Sequence, residues 1–314
     1  MDAQKHLFVI GNPLLDLQVE SSDNTILDKY GLVAGGATLA DEKTMPIYDD
    51  LWKMDGLMTI PGGSGLNSAR SANFMLKNQG SQNKVHYFGS ISKDKKGATL
   101  EKCLKDEGVI GNFHYSTEAQ TGTCAVIVVK KERSMVANLA AACKYQESHL
   151  AENMAALENA SFIYSTSFFI TSNVNALQTV GAFASDKNIP FGYNLSAVFL
   201  LQFELANVMK TLQYADFVFG NEHEAEAYAT AHKMDGASNV DVAKAIAQSP
   251  KKNNQRKRVV IITQGPANVI VATCDPNSED KNVEIKEFPV EPLAEAMITD
   301  TNGAGDAFVG GFVS

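Results

Sequence analysis

At 314 residues, 45% hydrophobic and 20% charged, the chain has globular composition and room for one large domain with an appendage. Its net charge of −9 speaks against non-specific nucleic-acid binding, which needs a basic face. No apolar run approaches a membrane span, and Cys103, Cys124, Cys143 and Cys274 form no Cys-x-x-Cys pair, so neither a zinc site nor a disulfide framework is expected.

The start, Met1 to His6, is polar and leads straight into the apolar strand Leu7–Ile10, without the basic flank and long apolar stretch of a signal peptide. Reduced thiols in the cytoplasm, or the nucleus, are the default. The strand ends in Gly11-Asn12-Pro13-Leu14-Leu15-Asp16. Asp16, as an acceptor-only carboxylate, suits two vicinal hydroxyls, or it faces solvent from an alternating strand. Leu15, Leu17 and Val19 do alternate. Next, Gly62-Gly63-Ser64-Gly65-Leu66-Asn67 enters a helix that continues through Ala69, Ala72, Asn73 and Leu76. Its glycines let a polar ligand approach the backbone, and Asn67 offers a donor and an acceptor. Alone, the segment reads equally as a turn with a helix cap.

From Val85 the chain alternates short apolar runs with amphipathic ones. Strands are expected at 85–91, 162–164, 191–195, 217–219 and 259–263. Helices are expected near 97–107, 174–185, 203–212 and 222–231. Such alternation argues for a parallel sheet covered on both faces by helices. One region breaks the rhythm: Cys124–Val129, a charged turn at Lys130-Lys131-Glu132-Arg133, then Ser134–Ala137 form a hairpin signal. With the segment after Leu14, it makes a small β appendage that serves as a lid or as a structural hairpin. Large-domain residues are expected at 1–13, 62–112 and 140–314, and lid residues at 14–61 and 113–139. Lys251, Lys252, Arg256, Lys257 and Arg258 form the densest basic run, expected as a solvated loop.

Asn221-Glu222-His223-Glu224 lies at a strand end and helix start, where a hard oxygen ligand and an amide suit a hydrated Mg²⁺ near phosphates. Thr263-Gln264-Gly265 ends the next strand. The sharpest signal is Asp300-Thr301-Asn302-Gly303-Ala304-Gly305-Asp306-Ala307-Phe308. A glycine-flanked turn feeding a helix N-terminus exposes N–H groups that favour an anion. Asp306 then sits in the first turn, past the N-cap, as either a dipole-stabilising residue or a base beside a transferring phosphoryl group.

In this order, these motifs resemble the ribokinase-like family of sugar and nucleoside kinases over nearly the whole chain, and within it the members that act on adenosine. Thr121-Gly122-Thr123-Cys124-Ala125 and the run from Arg133 to Ala142 add to the match, and Asp300 to Gly311 is its most specific part. The resemblance implies a doubly wound, mostly parallel α/β sheet with helices on both faces and a small β lid. It implies transfer of the ATP γ-phosphoryl group to the 5′-hydroxyl of adenosine, giving AMP and ADP. Asp306 matches the base, Gly303, Ala304 and Gly305 the anion hole, with Asn302 beside it. Asp16, Gly63 and Asn67 match residues that hold the ribose hydroxyls, and Asn12, Gly62, Ser64 and Asn302 are expected to bind substrate with them. Leu14, Leu39, Cys124, Leu139 and Phe169, with Phe168 as a neighbouring candidate, make the adenine slot. Arg133 matches a lid arginine near the phosphates. Asn221 and Glu224 match an Asn-x-x-Glu element governing Mg²⁺ and phosphate, Glu224 acting through water, and Thr263 and Gly265 fall on the ATP side. ATP as co-substrate, Mg²⁺, a monomer, and no nucleic-acid or membrane partner are expected. The alternatives are another purine nucleoside or sugar kinase of the family, or a non-catalytic nucleoside-binding fragment. The chain ends at Ser314, eight residues beyond Asp306, where family members continue, so C-terminal truncation is expected.

Overall fold

The computed structural model describes residues 6–130, 132–278, 280–294, 297–298 and 301–314. The chain runs β1 (His6–Ile10), β2 (Leu14–Ser21), α1 (Thr25–Tyr30), β3 (Ala37–Leu39), α2 (Ile47–Leu51), β4 (Met58–Gly62) and α3 (Ser64–Asn78). It continues with β5 (Val85–Ile91), α4 (Lys95–Glu107), β6 (Ile110–Tyr115), β7 (Thr123–Val129), β8 (Glu132–Asn138), α5 (Glu147–Leu157), β9 (Ala160–Thr166) and α6 (Ile170–Asp186). Then come β10 (Phe191–Asn194), α7 (Val198–Phe203), α8 (Leu205–Leu212), β11 (Phe217–Asn221), α9 (Glu222–Ala231) and α10 (Asn239–Gln248). β12 (Arg258–Gln264), β13 (Ala267–Cys274), β14 (Val283–Phe288) and α11 (Ala304–Val313) follow.

Nine strands form one sheet in the order β14-β13-β12-β11-β10-β9-β1-β5-β6. Strands β6 to β12 in that row are parallel, and β13 and β14 add antiparallel pairs at one edge. The parallel strands read as continuous apolar runs because helices cover both faces. In β1, Phe8 and Ile10 belong to the apolar cluster that also holds α5, α6, α8 and α10 residues, whereas Leu7 and Val9 belong to the one that holds α3 and α4 residues. The chain leaves β1 toward β5 and β6 and returns to its other side at β9, so the winding reverses between β1 and β9. A crevice opens at such a reversal, beyond the carboxyl ends of the strands.

A second sheet, in the order β3-β8-β7-β2-β4, is built from residues on either side of β5 and β6. Its strands lie within 14–62 and 123–138. Residues 113–115, expected with the small sheet, instead pair with β5 in the large one, through Phe113↔Gly89 to Tyr115↔Ile91. The apolar Phe113 is buried there, and this decides its side.

Three other expectations are corrected. The hairpin turn is shorter than the charge run, because Val129 pairs with Glu132 and Val128 with Arg133, so Arg133 lies in a strand. Lys131 falls outside the described residues. The helix expected near 203–212 is α8, and a separate helix not expected, α7, precedes it and meets it at Glu204 with φ −121°. The basic run is not simply solvated. Arg258 is fully buried and donates to the carbonyls of Ala215, Ile246, Ser249, Leu212 and Pro250. Lys251 pairs with the buried Asp216 at 2.6 Å. A guanidinium with five donors can close several helix and loop carbonyls at once, which keeps a buried charge tolerable.

Candidate active site

A cavity of about 810 Å³ opens at the winding reversal, between the strand ends of the large sheet and one face of the small one. Asn12, Thr166, Asn194, Asn221 and Thr263 reach it from the ends of parallel strands. Leu14, Asp16, Leu39 and Cys124 face it from the small sheet. The first turns of α3 and α11 complete it with Gly63, Ser64 and Asn67, and with Gly303, Gly305 and Asp306.

Asp306 is the third residue of α11, behind Gly303, whose φ of 73° is left-handed. Its carboxylate accepts from Ser64 Oγ at 2.6 Å and from Asn67 Nδ2 at 3.0 Å, so two donors from another helix orient it. That reach depends on close helix packing. A methyl group on Gly310 would lie 2.7 Å from the Ser68 carbonyl and collide with Ser71, so glycine lets α11 settle against α3. Burial raises the Asp306 pKa, while the two donated hydrogen bonds oppose the rise. The first-turn N–H groups, including those of Gly305 and Asp306, have no partner within the helix and form the positive end of its dipole. Ala304 is exposed, does not line the cavity, and donates its N–H to Thr301 O at 3.2 Å. Asp300 lies outside the described residues.

Asp16 sits on β2 over Gly62 of β4, and a Cβ on Gly62 would collide with its carboxylate. Gly62 therefore shapes the site without lining it. Burial pushes the Asp16 pKa to about 7, against the charges of Arg133 and Arg70, which lower it, and with Asp306, which raises it. Arg133 thus stands within electrostatic reach of Asp16, although it does not line the cavity. Arg70 forks onto Glu107 with two 2.7 Å bonds and donates to the Pro61 carbonyl at 2.9 Å, tying β4 to α3 and α4.

Asn221 and Glu224 form a reciprocal cap on α9: Glu224 N–H donates to Asn221 Oδ1 and Asn221 N–H to Glu224 Oε2, each at 2.9 Å. Asn221 Nδ2 also donates to Glu224 Oε1 at 3.2 Å. Burial raises the Glu224 pKa to about 7, partly offset by the Asn221 N–H. Asn12 is equally occupied: its amide donates to Phe168 O at 3.0 Å and accepts from Ser172 Oγ at 2.6 Å, bridging the two sides of the winding reversal. Thr263 lines the cavity, but Gly265 lies in the β12–β13 turn and does not.

Leu14, Cys124 and Leu139 line the cavity from one apolar cluster, and Leu39 and Phe168 line it as well. Phe169, expected there, is fully buried in the core and packs edge-on against Tyr145. The short helical turn over Ser167–Phe169 points successive rings in different directions, so one takes the cavity and the other the core. Sequence reasoning missed Ala37, Met135, Ala137, Thr171 and Phe199, all of which line the cavity. Met135 and Ala137 alternate with the buried Ser134 and Val136 along β8, and this period of two was the available signal. Phe199, on α7 with its ring 6.1 Å from that of Phe168, carried none.

A family model described as pfkB family carbohydrate kinase matches residues 26–314. Adenosine kinase 2 of Arabidopsis thaliana is 40% identical over 310 residues, covering 98% of this chain and 86% of its own length. The crystal structure of Anopheles gambiae adenosine kinase in complex with P1,P4-di(adenosine-5) tetraphosphate superposes with a TM-score of 0.88 at 38% identity, covering 99% of this chain and 89% of that one. Schistosoma mansoni adenosine kinase, in complex with adenosine in an occluded loop conformation, also has a TM-score of 0.88, at 33% identity and the same coverage.

Proposed function

Because this chain belongs to the pfkB family of carbohydrate kinases, we propose that it transfers the γ-phosphoryl group of ATP to the 5′-hydroxyl of adenosine, giving AMP and ADP. The observation that carries this reading is the placement of Asp306. A half-buried carboxylate with a raised pKa stands at an uncapped helix N-terminus, in the same cavity as Asp16 and apolar and aromatic side chains. Asp306 takes the 5′-hydroxyl proton as the oxygen attacks the γ-phosphorus, and the first-turn N–H groups of Gly305 and Asp306 receive the phosphoryl oxygens. Asp16, with Gly63 and Asn67, holds the ribose hydroxyls, and Phe168 with the aliphatic side chains takes the base. The small sheet (residues 14–61 and part of 113–139) acts as a lid. Arg133, whose charge already acts on Asp16, offsets phosphate charge beneath it.

Mg²⁺ accompanies ATP in this reading. Among the described residues no three His, Cys, Asp or Glu side chains converge to cage a metal. A single carboxylate, Glu224, with the Asn221 amide fits an ion held chiefly by phosphates and water. When bound, that ion neutralises phosphate charge. The free thiols Cys103, Cys124, Cys143 and Cys274 suit a reducing compartment, the cytoplasm or nucleus, and we take the working unit as a monomer.

The deciding experiment follows labelled γ-phosphate from ATP into adenosine, inosine, ribose and fructose. Adenosine is expected to be the fastest acceptor, with AMP as product. Faster labelling of ribose or fructose would make the protein a sugar kinase. Calorimetric adenosine binding with no ATP consumed would reduce it to a binding protein.

A further inference from the structure

We propose that Ser64 is a positioning residue for the base: its hydroxyl, donated to Asp306 Oδ1, holds that carboxylate off its own helix and toward the cavity. The inference rests on the reading of Asp306 as the base. Left to itself, a carboxylate at the third position of a helix folds back to accept from the N-cap backbone, as Glu224 does on α9. Gly303, at the N-cap of α11, has no side chain to reciprocate, and no side-chain cap forms there. The two oxygens of Asp306 are instead taken by Ser64 at 2.6 Å and Asn67 at 3.0 Å, one turn apart on α3. The bond from Ser64 is the shorter, and its hydroxyl has a fixed origin. Ser64 is the first residue of α3, after Gly63 with φ 97°, and its own carbonyl accepts from Ser68 Oγ. Ser64 therefore connects the two first turns that meet at the cavity, α3 and α11.

A donor on the ionised form also favours that form, and so keeps a half-buried base unprotonated when substrate arrives. The other titratable groups that feel Asp306 are Asp16 on β2, Tyr164 on β9 and Glu224 on α9, with Arg70 and Arg133 charged beside Asp16. A change at Ser64 removes a bond to Asp306 itself and leaves these side chains in place, so its first effect falls on Asp306.

The test compares wild type with Ser64→Ala and Ser64→Thr. Kinetics and adenosine calorimetry are measured alongside the pH titration of the Asp306 carboxyl by ¹³C NMR, assigned with Asp306→Asn. Ser64→Ala is expected to lower kcat by about 10- to 100-fold, the effect of one lost hydrogen bond to a charge, with adenosine affinity within about threefold. The acid limb of kcat and the NMR titration both move to higher pH, and Ser64→Thr, which keeps the hydroxyl, recovers most of the rate. A carboxyl titration unmoved by Ser64→Ala overturns the proposal, as does lost adenosine affinity at unchanged kcat, which would make Ser64 a substrate contact. If the wild-type chain phosphorylates no nucleoside, the functional reading fails. The NMR titration still decides whether Ser64 controls this carboxylate.

Discussion

Two helices aim their first turns at the same cavity, and each carries a carboxylate at its third position. On α9 the N-cap is Asn221, and Glu224 closes a reciprocal pair of hydrogen bonds with it. On α11 the N-cap is Gly303 in a left-handed conformation, and Asp306 makes no cap. Its oxygens go to Ser64 and Asn67 of a different helix. Burial raises the pKa of both carboxylates. What separates them is the partner. A carboxylate that completes its own helix is committed to structure first, whereas one held across a helix–helix contact is oriented without being consumed.

The strongest way to break this comparison is to neutralise each carboxylate in turn. Asp306→Asn is expected to lower adenosine turnover by about 10²–10⁴, the range for loss of a positioned base, while adenosine affinity stays within about threefold. Glu224→Gln is expected to cost at least about tenfold less in turnover, since the amide preserves the cap. Steady-state rates with calorimetry on both variants check this. Equal losses would mean that the capping difference carries no functional weight.

The third carboxylate of the cavity, Asp16, rides on a strand and has neither kind of helix partner. Its position depends on the space above Gly62. Gly62→Ala is expected to raise the adenosine KM by about 10- to 100-fold and to leave the ATP KM within about threefold, as a displaced binding group does. Inhibition curves and KM values for both substrates measure it, and an unchanged adenosine KM would remove Asp16 from the sugar site.

Asp16 also makes a pH prediction. Burial raises its folded pKa to about 7, well above the ordinary aspartate value. The folded state therefore holds the proton more tightly, and the stability it lends at low pH is lost as pH rises toward 7. Above that, the buried charge is unfavourable. Asp16→Asn should then raise Tm by roughly 2–4 °C or more at pH 8 and by much less at pH 5, where the native carboxyl is already neutral. Calorimetric scans at the two pH values check the sign.

Part of this contrast was legible in the sequence. Gly303-Ala304-Gly305-Asp306 announces a helix start with free N–H groups, whereas Asn221-Glu222-His223-Glu224 reads as a phosphate-side element and its reciprocal cap emerges only in the structure. The alternating apolar runs gave the parallel sheet, because strands buried on both faces need no polar alternation. Features set by packing between distant segments stayed hidden. Nothing local tells Phe168 from Phe169, yet one lines the cavity and the other fills the core. The basic run around Lys251–Arg258 looks solvated until Asp216 and the carbonyls at the ends of α8 and α10 surround it. Gly310 gives no sign that it admits α3 to within hydrogen-bonding reach of Asp306.

The smallest effect separates the two jobs of Glu224. Ala at this position removes both the charge and the acceptor for the Asn221 N–H, whereas Gln removes the charge and retains an acceptor. Loss of such a cap costs about 0.5–2 kcal/mol, so Glu224→Ala should lower stability by about 1 kcal/mol in urea unfolding while Glu224→Gln stays within about 0.5 kcal/mol. Both variants lose the same negative charge from the cavity and should raise the Mg·ATP KM by similar factors. Adenosine affinity should not change in either. If Gln destabilises as much as Ala, the carboxylate charge rather than the reciprocal cap holds the start of α9, and the distinction from α11 shrinks to Gly303 alone. If Gln keeps both stability and Mg·ATP affinity, Glu224 is a structural cap and the phosphate side of the cavity rests on Asn221 and the α11 turn.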